Sequence, residues 1–192
     1  MDIKKLQTAV GTAADGIIGI NTYIAVFKRL GASDVMAYDL AVGANAHMSR
    51  YGIMDSTLRF SHFMGQLLHE SGTFRYMEEI ASGAAYEGRK DLGNIYRGDG
   101  IRFKGRGPIQ ITGRDNYRKF GRVIGIDIEA RPELAAVPAI GLQLAFAYWF
   151  AKNLNDLADQ DDIRGITRKI NGGFNGLADR TMLVNKVKRM FA

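Results

Sequence analysis

The sequence contains no cysteine among its 192 residues. Disulfide frameworks and thiolate metal sites are therefore excluded, and the fold must be stable without covalent cross-links. The chain also lacks an apolar run long enough to cross a bilayer, and residues 1–5 are not followed by the apolar segment of a secretory signal. We therefore expect no stable membrane insertion and no export by a signal peptide.

The composition does supply a core and an excess of positive charge. Hydrophobic residues make up 46% of the chain, as in ordinary globular proteins, and the length predicts one main domain with room for a small appendage. The formal net charge is +6 and the pI is about 9.6. This balance favours an anionic partner, such as nucleic acid, a membrane surface or an acidic polymer of a cell wall.

Residues 1–34 are predicted to form a small helical unit. Apolar spacing indicates a short helix over residues 3–10 and a second helix over residues 23–30. Asn21 or Thr22 is the expected cap of the second helix, and Gly31 its end. Gln7, the turn Asp15–Gly19 and Thr22 together resemble half of the helical peptidoglycan-binding repeat. The alternative is an ordinary helical hairpin packed on the main domain, which we place at residues 36–192.

The main domain is predicted to be mostly helical. The expected helices, from apolar spacing and capping residues, cover residues 35–50, 58–68, 132–136, 138–154, 163–170 and 179–192. The segment 138–154 is nearly all apolar and is expected to be the central buried helix. Ser56 or Thr57 is the expected cap of the helix over residues 58–68. Asp161 or Asp162 is the expected cap of the helix that begins at residue 163, and Asp179 that of the last helix.

One segment of the main domain predicts a strand. Ile109 and Ile111 alternate with Gln110 and Thr112, a pattern that is typical of a half-buried strand. We expect the isoleucines to face the core and the polar pair to face a groove. Residues 81–107 have no regular pattern, and a loop this long inside a compact domain is usually functional.

The stretch His69–Phe74 and the acidic pair Glu78-Glu79 carry the clearest chemical signal. Glu70 is predicted at the end of a buried helix, where apolar neighbours can raise the pKa of a carboxyl, as a general acid requires. In one unbroken helix, Glu79 would lie roughly 13 Å further along the axis and on the opposite face. Ser71-Gly72-Thr73 is a helix-breaking run, so we expect the chain to turn there and bring Glu79 back towards Glu70.

Two interpretations of the acidic pair remain open at this point. If Glu79 faces Glu70 across a groove, the two can act as an inverting glycosidase does, with carboxyls roughly 6.5–9.5 Å apart and a water between them. Otherwise Glu78-Glu79 is a solvated pair on a surface helix.

An ordered set of segments resembles glycoside hydrolase family 19, in the branch that contains phage endolysins and chitinase-like bacterial proteins. These segments are His69–Phe74, Tyr86–Arg89, Leu92–Asn94, Gly98–Gly100, Lys104–Arg114, Asn116-Tyr117, Ile170–Gly173 and Gly176–Arg180. The resemblance implies a lysozyme-like α+β fold, mainly α, with a small β element and a deep cleft. It also implies inverting hydrolysis of a β-1,4 bond in an N-acetylhexosamine polymer, without metal or other cofactor.

The resemblance assigns roles to individual residues. Glu70 corresponds to the general acid, Glu79 to the general base, and Thr112 to a hydroxyl residue that positions the water. Glu78 and Glu87 remain alternatives for the base. The substrate-binding positions are Gln110, Asn116, Tyr117, Asn171, Arg180 and His69, of which Arg180 supports the carboxylate network and His69 packs beside the acid. Amide side chains suit acetamido and hydroxyl groups because each offers donors and an acceptor.

Competing functions were weighed on the same residues. His62 and His69 are two helical turns apart, but no third ligand is spaced with them for a metal site. Arg102–Arg106 with Arg114 and Tyr117 could form a basic, aromatic surface for nucleic acid, although solvated or paired charges explain them as well. A cleft that binds wall glycan without cutting it is a third possibility. The basic last helix could lie on an anionic membrane or pack on the core.

The sequence therefore predicts an endolysin that hydrolyses peptidoglycan glycan strands, with a chitinase as the alternative. We expect a monomer that binds no nucleic acid. The absence of a signal sequence fits synthesis in a host cytoplasm and action on the periplasmic wall after a separate protein permeabilises the membrane.

Overall fold

A computed structural model describes residues 1–192 and shows a mainly helical protein. The α-helices are α1 (Ile3–Val10), α2 (Ile20–Leu30), α3 (Asp34–His47), α4 (Thr57–Glu70), α5 (Asp99–Arg102), α6 (Arg114–Ile124), α7 (Pro138–Ala151), α8 (Leu154–Asp159), α9 (Ile163–Asn171) and α10 (Leu177–Lys188). Short 3₁₀-helices cover Met48–Tyr51, Ile53–Asp55, Ala84–Tyr86, Lys90–Leu92, Pro132–Ala136 and Arg189–Phe191. No helix has both the length and the apolar character that crossing a membrane requires.

Two helices, α4 and α7, form the centre of the core. Every residue of α4 from Phe60 to Leu68 is buried, and α7 is apolar on nearly all sides. Phe63 stacks on Phe146 with ring centroids 5.2 Å apart and meets the edge of Trp149 at 5.3 Å. The prediction of a central buried helix from residue 138 is confirmed, and α4 shares that position.

The N-terminal helices pack into the same continuous core as the rest of the chain. Leu6 of α1 and Phe27 of α2 are fully buried, and both belong to the cluster that includes α4 and α7. The turn between α1 and α2 is held by Gln7, whose side-chain amide donates to Asp15 Oδ1 at 2.7 Å and accepts from the Gly16 N–H at 2.8 Å. The hairpin is therefore ordered by its own polar contacts and covered by the main domain. Whether residues 1–34 act as a separate unit stays a prediction.

The helix ends show where cap predictions from sequence succeed. Ser56 caps α4, and Asp162, one of the two expected candidates, caps α9 by accepting from the Gly165 N–H at 2.8 Å. Two other predictions were wrong. Gly19 occupies the cap position of α2, and Thr22 lies inside the helix. Gly176 occupies the cap position of α10, because Asp179 lies in the first turn of that helix and binds His69.

The predicted strand over residues 109–112 is wrong. The β element consists of two isolated antiparallel bridges, which join Arg106 to Glu78 and to Ile111. Residues 107–110 form a turn in which Gln110 has a φ of 53° and its N–H donates to the Gly107 carbonyl at 3.0 Å. The alternating pattern arose because Ile109 and Ile111 both point into the core from a tight turn.

The segment 78–102 has a polar interior. It contributes no hydrophobic residue to the buried core, whereas Met77 and Phe103 on either side of it are buried. Its buried side chains are Asn94, which donates to the Tyr86 carbonyl at 2.9 Å, and Asp99, which pairs with Arg114. Hydrogen bonds and ion pairs, rather than apolar packing, hold this part of the fold in place.

Candidate active site

A half-open cavity of about 210 Å³ lies between the end of α4, the turn after the Arg106 bridge and the end of α9. Five of the residues that the sequence predicted line this cavity. They are Glu70, Gln110, Thr112, Asn116 and Asn171. The other lining residues are Leu92, Ile109, Ile111, Tyr148 and Ile170. The cavity therefore combines one carboxyl and several amides with an apolar floor, as glycan sites do.

Glu70 is the last residue of α4, and a buried arginine holds it. Arg180 is 2% exposed, and its Nη2 donates to Glu70 Oε1 at 2.5 Å. The other guanidinium nitrogen, Nη1, donates to the side-chain oxygen of Gln66, one turn earlier on α4. The surroundings of Glu70 are thus not simply apolar, contrary to expectation, because a guanidinium occupies one side of the carboxyl. Its second oxygen, Oε2, has no hydrogen-bond partner within the protein and is free to face a substrate.

The chain reverses direction immediately after Glu70, as predicted. Gly72, Thr73 and Phe74 all have positive φ values, of 56°, 65° and 63°. Ser71 stabilises the reversal, since its hydroxyl donates to the Leu67 carbonyl at 2.6 Å and accepts from the Phe74 N–H at 2.8 Å. The turn removes the helical geometry that would have separated Glu70 from Glu79.

Glu79 is held at the other end of this turn by uncharged donors. Its Oε2 accepts from the Gly105 N–H at 3.1 Å, and its Oε1 accepts from the Tyr86 hydroxyl at 3.1 Å. Burial and the hydrogen bond to Glu79 raise the pKa of Tyr86, so this hydroxyl remains a donor near neutral pH. The carboxyl retains lone pairs with which to accept a proton.

Three polar side chains, those of Gln110, Glu79 and Thr112, lie close to Gly105. A Cβ on Gly105 would lie 2.6 Å from Gln110 Oε1 and 3.3 Å from both Glu79 Oε2 and Thr112 Oγ1. Thr112 donates its own hydroxyl proton to the Gln110 carbonyl at 3.0 Å, so its oxygen can accept from a water. Glu79 therefore lies beside Thr112, which lines the same cavity as Glu70.

The two alternative bases are engaged elsewhere. Glu78 Oε1 accepts from Arg106 Nε at 2.9 Å and lies 3.3 Å from Lys104 Nζ. Glu87 binds two backbone amides, the Gly98 N–H at 2.6 Å and the Gly100 N–H at 2.9 Å. Glu78 is thus neutralised by cations and Glu87 braces a loop, so Glu79 is the one of the three whose carboxyl only neutral side-chain or backbone donors hold beside Thr112.

Three predicted substrate residues do not line the cavity. Tyr117 is fully buried, and its hydroxyl donates to the Lys104 carbonyl at 2.7 Å, so it lies behind the cavity and its assignment to substrate binding stays a prediction. Arg180 reaches Glu70 from behind and supports the carboxyl rather than a sugar. His69 Nδ1 lies 2.6 Å from Asp179 Oδ2, so its ring joins α4 to the start of α10.

Sequence reasoning missed several groups that complete the site. Gln66, Tyr86 and Gly105 position the two carboxyls, and Tyr148 forms part of the cavity wall. Burial raises the pKa of Tyr148 to about 12, and the charge of Glu70 adds to that shift. Tyr86 and Gly105 lie in segments that resemble the family, and Gln66 lies four residues before Glu70 on the same helical face, whereas Tyr148 carried no signal.

The residues behind the competing functions are dispersed or buried. His62 and His69 bind different carboxylates, since His62 lies 2.6 Å from Asp161 and His69 contacts Asp179. No three acidic or histidine side chains cluster as metal ligands do. Phe103, like Tyr117, is fully buried, so neither aromatic ring that the sequence offered for a basic, aromatic surface is exposed. The last helix packs on the core through buried Val184, Val187 and Met190.

Known proteins resemble this chain in both sequence and fold. A glycosyl hydrolase family 19 domain-containing protein of Haemophilus influenzae is 40% identical over 105 residues, which cover 55% of this chain and 50% of that protein. The acidic endochitinase Q of Nicotiana tabacum is 31% identical over 143 residues, 71% of this chain and 54% of the tobacco protein. The chain thus spans about half the length of these relatives.

Solved structures agree with the fold. Chitinase C from Streptomyces griseus superposes with a TM-score of 0.69 at 20% identity, over 88% of this chain and 77% of that one. A class IV chitinase from Zea mays gives a TM-score of 0.67 at 22% identity, over 88% and 90% of the two chains.

The family described as chitinase class I matches residues 31–174, a range that includes both Glu70 and Glu79. The mainly helical, lysozyme-like fold that the sequence predicted is therefore confirmed, and this chain belongs to glycoside hydrolase family 19.

Proposed function

We propose that the protein hydrolyses β-1,4 bonds between N-acetylhexosamine units with inversion at the anomeric carbon. The observation that carries this proposal is the contrast between its two carboxyls. Glu70 lines the cavity with one oxygen free, while Glu79 sits beside Thr112 with both oxygens held by neutral donors. Two carboxyls in different surroundings are what an acid and a base of one reaction require.

Glu70 acts as the general acid. Arg180 fixes Oε1, so the unpartnered Oε2 carries the proton towards the glycosidic oxygen. As the bond from the anomeric carbon to that oxygen breaks, the proton passes to the leaving sugar and Glu70 becomes a carboxylate.

Glu79 acts as the general base. A water held between Glu79 and Thr112 attacks the anomeric carbon from the opposite face and gives one proton to Glu79. The two groups are close enough to act on one water, because Glu79 Oε2 and Thr112 Oγ1 each lie 3.3 Å from where a Cβ on Gly105 would stand, and Thr112 has acceptor capacity to spare. Gln110, Asn116 and Asn171 bind the acetamido and hydroxyl groups of the sugars.

The substrate we propose is the glycan strand of bacterial peptidoglycan, cut by this protein as a monomeric endolysin. The net charge of +6 suits an anionic wall. Synthesis in a host cytoplasm, followed by action on the periplasmic wall once the membrane is permeabilised, completes this biological role. Chitin is the second candidate, favoured by the relatives in tobacco and Arabidopsis that are named endochitinases.

The deciding experiment compares purified sacculi with soluble chitin oligomers. Wild type, Glu70→Gln and the control Glu133→Gln are incubated with each, and mass spectrometry identifies the reducing ends released. Glu133 is exposed on the 3₁₀-helix Pro132–Ala136 and makes no side-chain hydrogen bond or ion pair, so its variant should behave as wild type. Cleavage of sacculi that disappears in Glu70→Gln supports the endolysin, cleavage of oligomers alone supports the chitinase, and cleavage of neither refutes both.

A second experiment tests the base. Glu79→Gln should lose nearly all turnover while it still binds glycan, whereas Glu78→Gln and Glu87→Gln should retain catalysis in proportion to their folded fraction. The anomer released first, read by proton NMR, should be inverted. Near-normal turnover of Glu79→Gln would move the base to another residue.

A further inference from the structure

The turn between the two glutamates has an unfavourable backbone. Thr73 and Phe74 follow Gly72 with φ values of 65° and 63°. Glycine adopts this region freely, but a β-branched or aromatic residue does so only where its surroundings impose it. Local contacts account for part of this, since Ser71 binds the Phe74 N–H at 2.8 Å.

The N-terminal hairpin supplies further support. Phe74 is 2% exposed and meets the edge of Phe27 of α2, with centroids 5.4 Å apart and planes at 85°. Thr73 packs on Gly31, the residue that ends α2. A Cβ on Gly31 would lie only 2.7 Å from Thr73 Cγ2, so the two residues meet without space for another carbon.

This contact joins α2 to the segment between the two glutamates. The family match begins at residue 31, so Phe27 and the rest of α2 lie before it. The residues that they touch lie between Glu70 and Glu79. A displacement of the 72–74 turn would change the position of Glu79 relative to Glu70, because the same short segment connects both.

We infer that α2 is a positioning element of the active site. Phe27 and Gly31 hold the 72–74 turn, and the turn in its place positions Glu79. The inference rests on the proposed function for its catalytic consequence. Residues 1–34 are then an integral support of the hydrolase, whether or not they also bind wall. A change at Gly31 should lower kcat with little effect on KM, because the sugar-binding amides of the cavity lie on other segments.

The test substitutes Gly31→Ala in the full-length protein, with Gly11→Ala as the matched control. Both glycines end helices of the hairpin at positive φ, of 113° and 77°, so alanine strains the backbone at each. Only Gly31 has a neighbour, because nothing lies within 4 Å of a Cβ on Gly11. We expect Gly31→Ala to lower kcat roughly tenfold to a hundredfold, as displacements of about 1 Å do, while Gly11→Ala keeps wild-type kcat.

A second substitution tests whether the effect passes through Thr73. Thr73→Ser removes Cγ2, the atom that a new Cβ would meet, so it should restore much of the kcat lost in Gly31→Ala. Circular dichroism and the melting temperature confirm that each variant is folded at the assay temperature. A kcat of Gly31→Ala that equals that of Gly11→Ala, or a loss that Thr73→Ser does not relieve, would overturn the inference.

Hydrogen exchange gives a readout that does not need activity. Gly31→Ala should speed amide exchange in residues 72–79, and Gly11→Ala should not. If wild type cleaves neither sacculi nor chitin oligomers, the proposed function fails, but the exchange comparison still decides whether α2 holds the turn. Unchanged exchange in Gly31→Ala would overturn the inference independently of the reaction.

Discussion

Arg180→Met should lower the free energy of unfolding by about 2–4 kcal/mol. The substitution keeps much of the side-chain length but removes the donors to Glu70, to Gln66 and to the Asn175 carbonyl. Gln66 is fully buried, so its oxygen is left without a partner, which costs about 1–3 kcal/mol. Loss of one member of a buried ion pair costs about 3–5 kcal/mol. The two costs overlap, and Glu70, which is 20% exposed, recovers part of its hydration, so the expected total falls to about 2–4 kcal/mol.

Urea unfolding at pH 7, followed by circular dichroism, measures this loss. The melting temperature should fall by about 2–4 °C for each kcal/mol in a chain of this length. The control is Arg164→Met, since Arg164 is exposed, lies over the face of Phe174 and makes no side-chain hydrogen bond or ion pair; it should change stability by no more than about 0.5 kcal/mol. Arg180→Lys should fall between wild type and Arg180→Met, because an ammonium keeps the charge but not the planar fork.

A double substitution measures how strongly Arg180 and Gln66 depend on each other. Gln66→Met should cost less in the Arg180→Met background than in wild type, because the orphaned oxygen is then removed. If Arg180→Met loses no more stability than Arg164→Met, Arg180 does not hold Glu70 in the way that the geometry implies.

Two further predictions concern the packing and the pH response of α4. Gly65→Ala should destabilise the protein by more than about 2 kcal/mol in urea unfolding, because its Cβ would lie 2.5 Å from Val184 Cγ2 on α10. The control Gly173→Ala, which has open space around its Cβ, should be nearly neutral. Equal effects of the two substitutions would contradict the close packing. Burial lowers the pKa of His62 below its usual 6.5 despite the nearby Asp161, so the unfolded chain binds a proton more readily and stability should fall as the pH drops below about 6.5. His62→Gln should flatten that fall in unfolding curves at pH 7 and pH 5, and an unchanged slope would contradict the assignment.

The helices were the most predictable part of this fold. The predicted helix over residues 58–68 lies inside α4 because Ser56 and the apolar spacing specify the same register. The cap predictions failed where a tertiary contact competed for the side chain. Asp179 binds His69 and Thr22 lies near Gln7, so glycines take the cap positions instead.

The cavity could be predicted only in part. Glu70 and the amides were identified because their motifs are contiguous in sequence and resemble a known family. The reversal at Ser71-Gly72-Thr73 was predicted from helix-breaking residues, but its dependence on Phe27 was not, since that contact joins residues far apart in the chain. The strand prediction failed for a similar reason, because the positive φ of Gln110 follows from the turn around Gly107 rather than from residue type.

The base assignment shows the same limit. Glu78, Glu79 and Glu87 are alike in sequence, and only their partners in the fold distinguish them. Two cations neutralise Glu78, two backbone amides bind Glu87, and neutral donors hold Glu79. Spacing alone could not reveal those partners.

The polar interior of residues 78–102 has a consequence for how the protein opens. The backbone amides of α4 and α7 lie in an apolar core, so we expect their hydrogen exchange with solvent to require global unfolding. Residues 78–102 are instead held by hydrogen bonds and by ion pairs such as Asp99 with Arg114. This side of the protein should therefore open locally at a lower free energy, and added salt should assist that opening by screening its exposed pairs, such as Arg89 with Asp91. Glu79 lies within that segment and Glu70 does not, so a local opening would separate the two carboxyls while the helical core stays folded.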